Sequence, residues 1–207
     1  MGIIEQERRS RNKRTKSIYL VVCEGKNKTE YTYLNHFISR NSKIILHVEK
    51  SESTDPKNMI KTTLHYIEKY RIQSPHDKAF CLIDVDVNKS RSDLINELVT
   101  TYPDITIIRS NACFEVWFIL HFTPHPKVQP TSKHTKAELR NHISDYRESL
   151  DVYEKEKIIR DNISTAIKNA KSLRKQHQRN GVNLDSVDAM PYTEFDKLIE
   201  DIMSKYS

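Results

Sequence analysis

Acidic residues stand where three apolar segments of this chain end. They are Glu24, Asp84 with Asp86, and Glu115. An acid at the exit of a buried strand is costly unless it meets water, a partner or a cation, so the three segments together indicate one shared polar site. Asp84 and Asp86 are two residues apart, which on an extended chain turns both side chains to the same face. Hard oxygen ligands placed in this way can hold magnesium along with a substrate phosphate.

The acids suggest a division of labour within such a site. The two aspartates would hold the metal, which orients and polarises the phosphate, while Glu24 shares the metal or moves a proton. We therefore predict a Mg²⁺ site, able to accept Mn²⁺, formed by Glu24, Asp84 and Asp86. The alternative is structural: Asp84 caps a turn and Glu24 pairs with Lys26 or Lys28, as surface acids often do.

The chain around these acids alternates between predicted strands and helices. Thr29 is a candidate N-cap, and Pro56 suits the first turn of a helix. Apolar runs predict strands at 18–23, 44–48, 79–85 and 105–109. Helical spacing of apolar residues predicts helices at 29–39, 56–71, 91–101 and 114–121. This alternation is typical of an α/β fold with a mainly parallel sheet flanked by helices, in which the site lies at the carboxyl ends of the strands.

The length of 207 residues suits one domain with additions at both ends. Residues 1–16 are basic and without pattern, which predicts a flexible arm, and residues 17–125 form the predicted α/β core. Residues 126–207 predict a helical C-terminal extension packed on that core, with helices at 135–149, at 156–177 and from Tyr192 onward.

The formal net charge is +6 and the isoelectric point is about 9.1, and the excess charge is uneven. Residues 155–179 hold eight Lys or Arg against two acids. Because neutralising phosphates releases counterions, such a surface favours nucleic acid as a partner. A solvated helix face is the alternative. The candidate nucleic-acid-binding residues are Lys26 and Lys28 beside Glu24, and Lys168, Lys171, Arg174 and Lys175 along one flank of a helix.

The sequence disfavours several classes of protein. The amino terminus carries charges where a secretory signal needs an apolar region, and no apolar run reaches the length of a membrane span, so we expect a cytoplasmic protein that does not bind membranes. Cys23, Cys81 and Cys113 lie in apolar segments without CxxC spacing, which predicts core residues. With three Gly in the chain, no GxGxxG or Walker loop exists, so nucleotide hydrolysis by the usual phosphate cradle is unsupported.

In its motifs the chain resembles the RloB family, also represented by the AbiLii-type abortive-infection proteins, which carry a Toprim-like (Rossmann-like) domain. The resemblance spans roughly residues 15 to 203. The residues that carry it are Val21-Val-Cys-Glu24-Gly25 with Thr29-Glu30, Ile83-Asp84-Val-Asp86, the segment from Ser110 to Phe122 that contains Phe114-Glu115, Trp117 and His121-Phe122, Ala166 to Lys171, and Pro191-Tyr-Thr193.

This resemblance implies roles for the acids. Toprim-like proteins use the first-strand glutamate and the DxD pair for magnesium-dependent phosphodiester chemistry, which carries over to Glu24, Asp84 and Asp86, and the family's FE segment maps to Glu115. Two departures stand out: the loop after Glu24 is one residue longer than the EGxxTE spacing, and Val85 lies between the aspartates, where a basic residue is common.

Glu115 opens an apolar segment and has two interpretations. It lies outside the stripe of Phe114, Trp117 and His121, so it is either a third carboxylate of the site or an anchor for a nearby basic residue. His121 belongs to the stripe, which favours a hydrogen-bonded core histidine over a catalytic base.

The resemblance implies a magnesium-dependent nuclease of a bacterial anti-phage, abortive-infection system that cuts RNA, with tRNA as a candidate, or DNA. It also implies an ATPase partner encoded nearby and is compatible with a homo-oligomer. The alternative is a non-catalytic module of the same shape that binds nucleic acid or a partner. A phosphotransferase or primase-like enzyme is a third hypothesis, disfavoured because no zinc or nucleotide motif is recognisable.

Overall fold

The computed structural model describes residues 16–25, 29–39, 42–128 and 130–206. The predicted basic arm, apart from Lys16, lies outside the described residues, and so do Lys26 and Lys28. None of the described helices is both long enough and apolar enough to cross a membrane.

One sheet organises the described chain, in the order β2-β1-β3-β4-β5. The parallel strands are β1 (Ser17–Glu24), β2 (Ile44–Ser51), β3 (Lys78–Asp84) and β4 (Ile105–Asn111), and the antiparallel strand is β5 (Tyr192–Thr193). The predicted α/β fold with a mainly parallel sheet is confirmed, and it is consistent with a Rossmann-like fold. Because β1 is covered on both faces, its run from Ile18 to Cys23 is apolar throughout.

Helices cover both faces of the sheet and build the C-terminal part. Asp55 caps the second helix, whose first residue is Pro56, and Asn88 caps the third. The helices are α1 (Thr29–Asn35), α2 (Pro56–Tyr70), α3 (Lys89–Thr101), α4 (Glu115–Ile119), α5 (Ser132–Leu139), α6 (Val152–Lys155), α7 (Lys157–Asp161), α8 (Ile163–Arg179) and α9 (Phe195–Met203).

The core lies on the two faces of the sheet. The larger cluster packs α1, α4, α8 and α9 against the face that carries Tyr19 and Val21, with Trp117 and Phe118 completely buried in it. The opposite face carries Leu20 and is covered by α2 and α3. The three cysteines are free and buried, as the sequence predicts.

Three predicted helices differ from the structure. The helix expected at 135–149 is α5, which ends at Leu139, because Asn141, His142, Ser144 and Asp145 favour turns over helix interiors. The helix expected at 156–177 breaks at Asn162, whose side-chain amide donates to the His121 carbonyl instead. The segment from Tyr192 first forms β5, and its helix begins at Phe195.

Candidate carboxylate site

The carboxyl ends of β1 and β3 bring Glu24 and Asp84 to the same edge of the sheet. Both residues are the last of their strands, and the strands are parallel neighbours. Glu24 is 6% exposed and Asp84 is 8% exposed. Gly25 follows Glu24 where the chain passes β2 so closely that a Cβ there would lie 2.0 Å from the Ser51 carbonyl oxygen. Glycine at this position therefore lets β1 deliver Glu24 to the edge.

Arg91, in the first turn of α3, forms an ion pair with Glu24. Its Nη2 donates to Glu24 Oε1 at 3.0 Å and to the Thr54 carbonyl at 2.8 Å, and its Nε donates to the Asp84 carbonyl. The guanidinium is largely buried, and its Nε lies 3.8 Å from Asp86 Oδ2. Sequence reasoning missed Arg91; the signal was its place just after Asn88, the cap of the helix that follows β3.

Asp86 lies beyond the end of β3, in a turn. The backbone N–H groups of Val85 and Asp86 donate to the carbonyls of Ser110 and Ala112, and Asp86 and Val87 both have positive φ. The same-face argument for Asp84 and Asp86 is therefore wrong, because it assumed an extended chain through Asp86. The Asp86 carboxylate is about half exposed, and its Oδ1 accepts from the Ser132 hydroxyl at 2.8 Å.

Glu115 opens α4 and is buried at 2% exposure. Its Oε1 accepts a hydrogen bond from the Tyr146 hydroxyl at 2.6 Å, and the Lys136 ammonium lies 3.8 Å away. Lys136 also pairs with Glu148 at 2.5 Å. Glu115 thus anchors a basic residue, as one of its two interpretations held. Lys136 and Tyr146 come from the C-terminal part, where no motif pointed to them.

Glu30, in the first turn of α1, is a fifth acid near Glu24, Asp84, Asp86 and Glu115. It is 3% exposed, and its Oε2 is buried without a hydrogen-bond partner among the described residues. Burial, and next the charge of Glu115, raise the pKa of Glu30 well above its usual range. Sequence analysis used Glu30 only as part of the family motif, although its place in that motif was a signal.

The acids interact with one another through a poorly solvated region. Burial raises the pKa of Glu24 to about 7, with Arg91 lowering it and Asp86 raising it. Burial, followed by the charges of Glu24 and Glu30, raises the pKa of Asp84 well above its usual range. The carboxylate cluster, as we call it, consists of five acids faced by the cations Arg91 and Lys136: Glu24, Glu30, Asp84, Asp86 and Glu115. Among the residues that the structure describes, the negative charge of the cluster is therefore only partly compensated.

The donor chemistry of the carboxylate cluster fits a hard divalent cation, since carboxylate oxygens are preferred ligands of Mg²⁺ and Mn²⁺. The unpartnered oxygen of Glu30 is one such donor. However, among the described residues no three His, Cys, Asp or Glu side chains are placed so as to hold a metal ion. A metal held by Glu24, Asp84 and Asp86 therefore requires these side chains to reorient.

The predicted basic flank of α8 is only partly available to a ligand. Arg174 is largely buried and donates both Nη groups to the Asp196 carboxylate, at 2.6 and 2.5 Å. Lys171 pairs with Glu200 at 2.5 Å. Lys168 and Lys175 are exposed. Arg174 therefore serves the packing of α8 against α9, whereas Lys168 and Lys175 remain accessible.

The fold and the site together define an α/β protein that gathers acidic side chains at the carboxyl edge of a parallel sheet. The chain belongs to the RloB family: the model of the RloB-like protein family matches residues 19–202. The match includes every strand except the first two residues of β1, and it includes the whole carboxylate cluster. No curated protein and no solved structure matches the chain at a significant level of similarity.

Proposed function

We propose that this protein is a metal-dependent, Toprim-type nuclease that hydrolyses phosphodiester bonds in RNA, with tRNA as a candidate, or in DNA. The observation that carries the proposal is the meeting of Glu24 and Asp84 at the carboxyl edge of the sheet, where the described residues supply five acids and two cations. Sites of phosphoryl chemistry in open α/β sheets lie at this edge.

Glu24, Asp84 and Asp86 would hold Mg²⁺ or Mn²⁺, which supplies polarisation of the phosphate and activation of water when bound. Once displaced from Glu24, Arg91 keeps the carbonyls of Asp84 and Thr54 as partners and stays beside the acids. A guanidinium in that position can bind a phosphate oxygen of the substrate. Glu24, freed from Arg91, shares the metal or takes a proton from the attacking water.

The biological setting of the proposal comes from the RloB family. We propose that the protein acts in the bacterial cytoplasm as the effector of an AbiLii-type abortive-infection system, together with an ATPase partner encoded nearby. A homo-oligomer is compatible with this role. Membership of the RloB family supports the setting, and the carboxylate cluster supports the chemistry.

Two observations favour a second candidate, a non-catalytic module that binds nucleic acid or a partner. The ion pair between Arg91 and Glu24 neutralises the acid on which catalysis depends, and no three metal-ligating side chains are assembled among the described residues. In such a module Arg91 and Glu24 would be a permanent structural pair.

Purified protein incubated with labelled tRNA, single-stranded DNA and duplex DNA separates the two candidates. A nuclease cleaves at least one of them with Mg²⁺ or Mn²⁺ and none with chelator. Glu24→Gln should abolish cleavage while the substrate still binds, because the side chain keeps its size but loses its charge and its ability to take a proton. Glu97→Gln, an exposed acid on α3, is the matched control. A folded Glu24→Gln protein with full cleavage would refute the nuclease.

A further inference from the structure

Lys50, near the end of β2, directs its charge at an aromatic ring instead of an acid. Its ammonium lies 3.9 Å from the centroid of the Tyr31 ring, which is a cation–π contact. Both side chains are partly exposed. Within the described part of the chain Lys50 forms no salt bridge, whereas Lys136 and Lys171 are paired with glutamates. The charge of Lys50 is therefore held in place without being neutralised.

The register of β2 against β1 places Lys50 beside the carboxylate cluster. Lys50 is the Cα partner of Cys23, the residue before Glu24, on the adjacent parallel strand. Adjacent strands are about 4.8 Å apart. The ring that holds Lys50 belongs to Tyr31, the residue that follows Glu30 in α1. Lys50 therefore lies on the β2 side of the carboxylate cluster, between residues that adjoin two of its acids.

Two features fix the direction of the Lys50 side chain. The even-numbered residues from Ile44 to Val48 are buried in the core cluster on the α1 side of the sheet, and Lys50 continues this alternation. Tyr31 packs against the same core cluster, so its ring is a fixed support. The ring attracts the ammonium through its quadrupole and carries no net charge. An anion can therefore bind Lys50 without breaking an ion pair.

We propose that Lys50, positioned by Tyr31, binds a phosphate of the nucleic-acid substrate next to the phosphate that lies at the carboxylate cluster. The proposal rests on the proposed nuclease function and gives the direction in which the substrate passes the site. From β2 to β3, the order along the carboxyl edge is Lys50, Glu24 and Asp84. A backbone that crosses the strand ends in this direction meets a cation first and then the acids that would hold the metal. Lysine binds phosphate as a point charge, with three donors on a long stem.

The test measures binding of fluorescently labelled tRNA, single-stranded DNA and duplex DNA by anisotropy at several salt concentrations, in chelator so that nothing is cleaved. We expect Lys50→Ala to weaken binding of the preferred nucleic acid about fivefold, because one charge-assisted contact is lost. The salt slope should fall by about 0.7 for a single strand or about 0.9 for a duplex, which is the contribution of one phosphate. Lys50→Arg keeps the charge and should retain most of the affinity.

The matched control is Lys43→Ala. Lys43 directly precedes the same strand, is exposed and forms no salt bridge with any described residue. It lies at the amino edge of the sheet, about 23 Å from Lys50 at 3.3 Å per residue. Its replacement should change the affinity less than twofold and leave the salt slope unchanged. Melting curves should show that all variants are folded.

A double-mutant cycle tests Tyr31 as a positioning residue. Tyr31→Phe keeps the ring and should bind like wild type, whereas Tyr31→Leu removes the ring and should weaken binding about twofold to threefold. In the Lys50→Ala background, Tyr31→Leu should have no further effect, because Tyr31 acts through Lys50. Equal losses in both backgrounds would overturn the positioning role of Tyr31.

The role of Lys50 is overturned if Lys50→Ala keeps the affinity and salt slope of wild type, if Lys43→Ala loses as much affinity, or if Lys50→Arg loses as much as Lys50→Ala. It is also overturned if wild type binds none of the three nucleic acids.

Failure of this proposal is distinguishable from failure of the nuclease. If Lys50→Ala loses binding but wild type cleaves nothing with any metal, the role of Lys50 stands and the nuclease fails. If wild type cleaves and Lys50→Ala binds and cleaves normally, the nuclease stands and the role of Lys50 fails. Where wild type cleaves, Lys50→Ala should raise KM and leave kcat nearly unchanged, because the adjoining phosphate is bound equally in the ground state and the transition state.

Discussion

Replacing Glu24 by Gln should change how the stability of the protein depends on pH. Burial raises the pKa of Glu24 from 4.5 to about 7, whereas in the unfolded chain the group regains its ordinary value. Between these values the folded state binds more protons than the unfolded state, so the free energy of unfolding falls as pH rises. At about 1.4 kcal/mol per pKa unit, Glu24 makes wild type lose about 2–3 kcal/mol between pH 5 and pH 8. Gln does not titrate, so this part of the loss should disappear in the variant.

The assay is urea unfolding of wild type, Glu24→Gln and the control Glu97→Gln at pH 5, 6, 7 and 8. Because the charge of Glu24 also raises the pKa values of Asp84 and Glu30, removing it should flatten the profile further. Parallel profiles of wild type and Glu24→Gln would refute the argument. Added Mg²⁺ should stabilise wild type mainly above pH 7, where the carboxylate is ionised, and should stabilise the variant less.

Three further predictions concern residues around the site and on α8. Asp84→Ala and Asp86→Ala should abolish cleavage and weaken Mg²⁺ binding measured by calorimetry; unchanged Mg²⁺ binding would contradict the metal site. Asp84→Ala should not lower the melting temperature, because it removes a buried charge that is repelled by its neighbours. Arg91→Ala should lower the free energy of unfolding by roughly 3 kcal/mol, because a largely buried Glu24 loses its partner, and lowering the pH to 5 should recover part of that loss; equal losses at pH 5 and pH 8 would contradict this pairing. Arg174→Ala should lower the free energy of unfolding by roughly 3–5 kcal/mol, because it leaves the buried Asp196 unpaired. Lys171→Ala removes only an exposed ion pair and should lower it by at most about 1 kcal/mol. Similar urea midpoints for Arg174→Ala and Lys171→Ala would show that Arg174 is not structural.

The sequence predicted the site residues whose positions follow from regular secondary structure. Glu24 and Asp84 end parallel strands, and continuous apolar runs identify such strands directly. The backbone at Asp86 was misjudged, because the chain leaves the strand after Asp84 and turns with positive φ at Asp86 and Val87. Aspartate adopts positive φ more readily than most residues, but a β-branched residue such as Val rarely does, so the local sequence did not indicate this turn.

The residues that contact the acids could not be predicted from the sequence. Lys136 and Tyr146 reach Glu115 from segments 21 and 31 residues away, and such contacts follow from tertiary packing rather than from local pattern. The same reason explains Arg174: its spacing with Lys168 and Lys171 suggested one exposed flank, but Asp196 on α9 fixes it in the packing between the two helices.

α9 and its flanking residues act as a clamp on the strands. Glu194 pairs with Arg109 of β4, and Asp201 contacts both Tyr19 of β1 and Lys78 of β3. The Lys205 carbonyl accepts a hydrogen bond from the backbone N–H of Lys43, the residue before β2. The four parallel strands are thus joined by a segment synthesised after all of them. Contacts so distant in sequence form slowly. A nascent chain therefore cannot complete its sheet, or form the contacts by which α9 joins the strands, until residues 192–205 have left the ribosome.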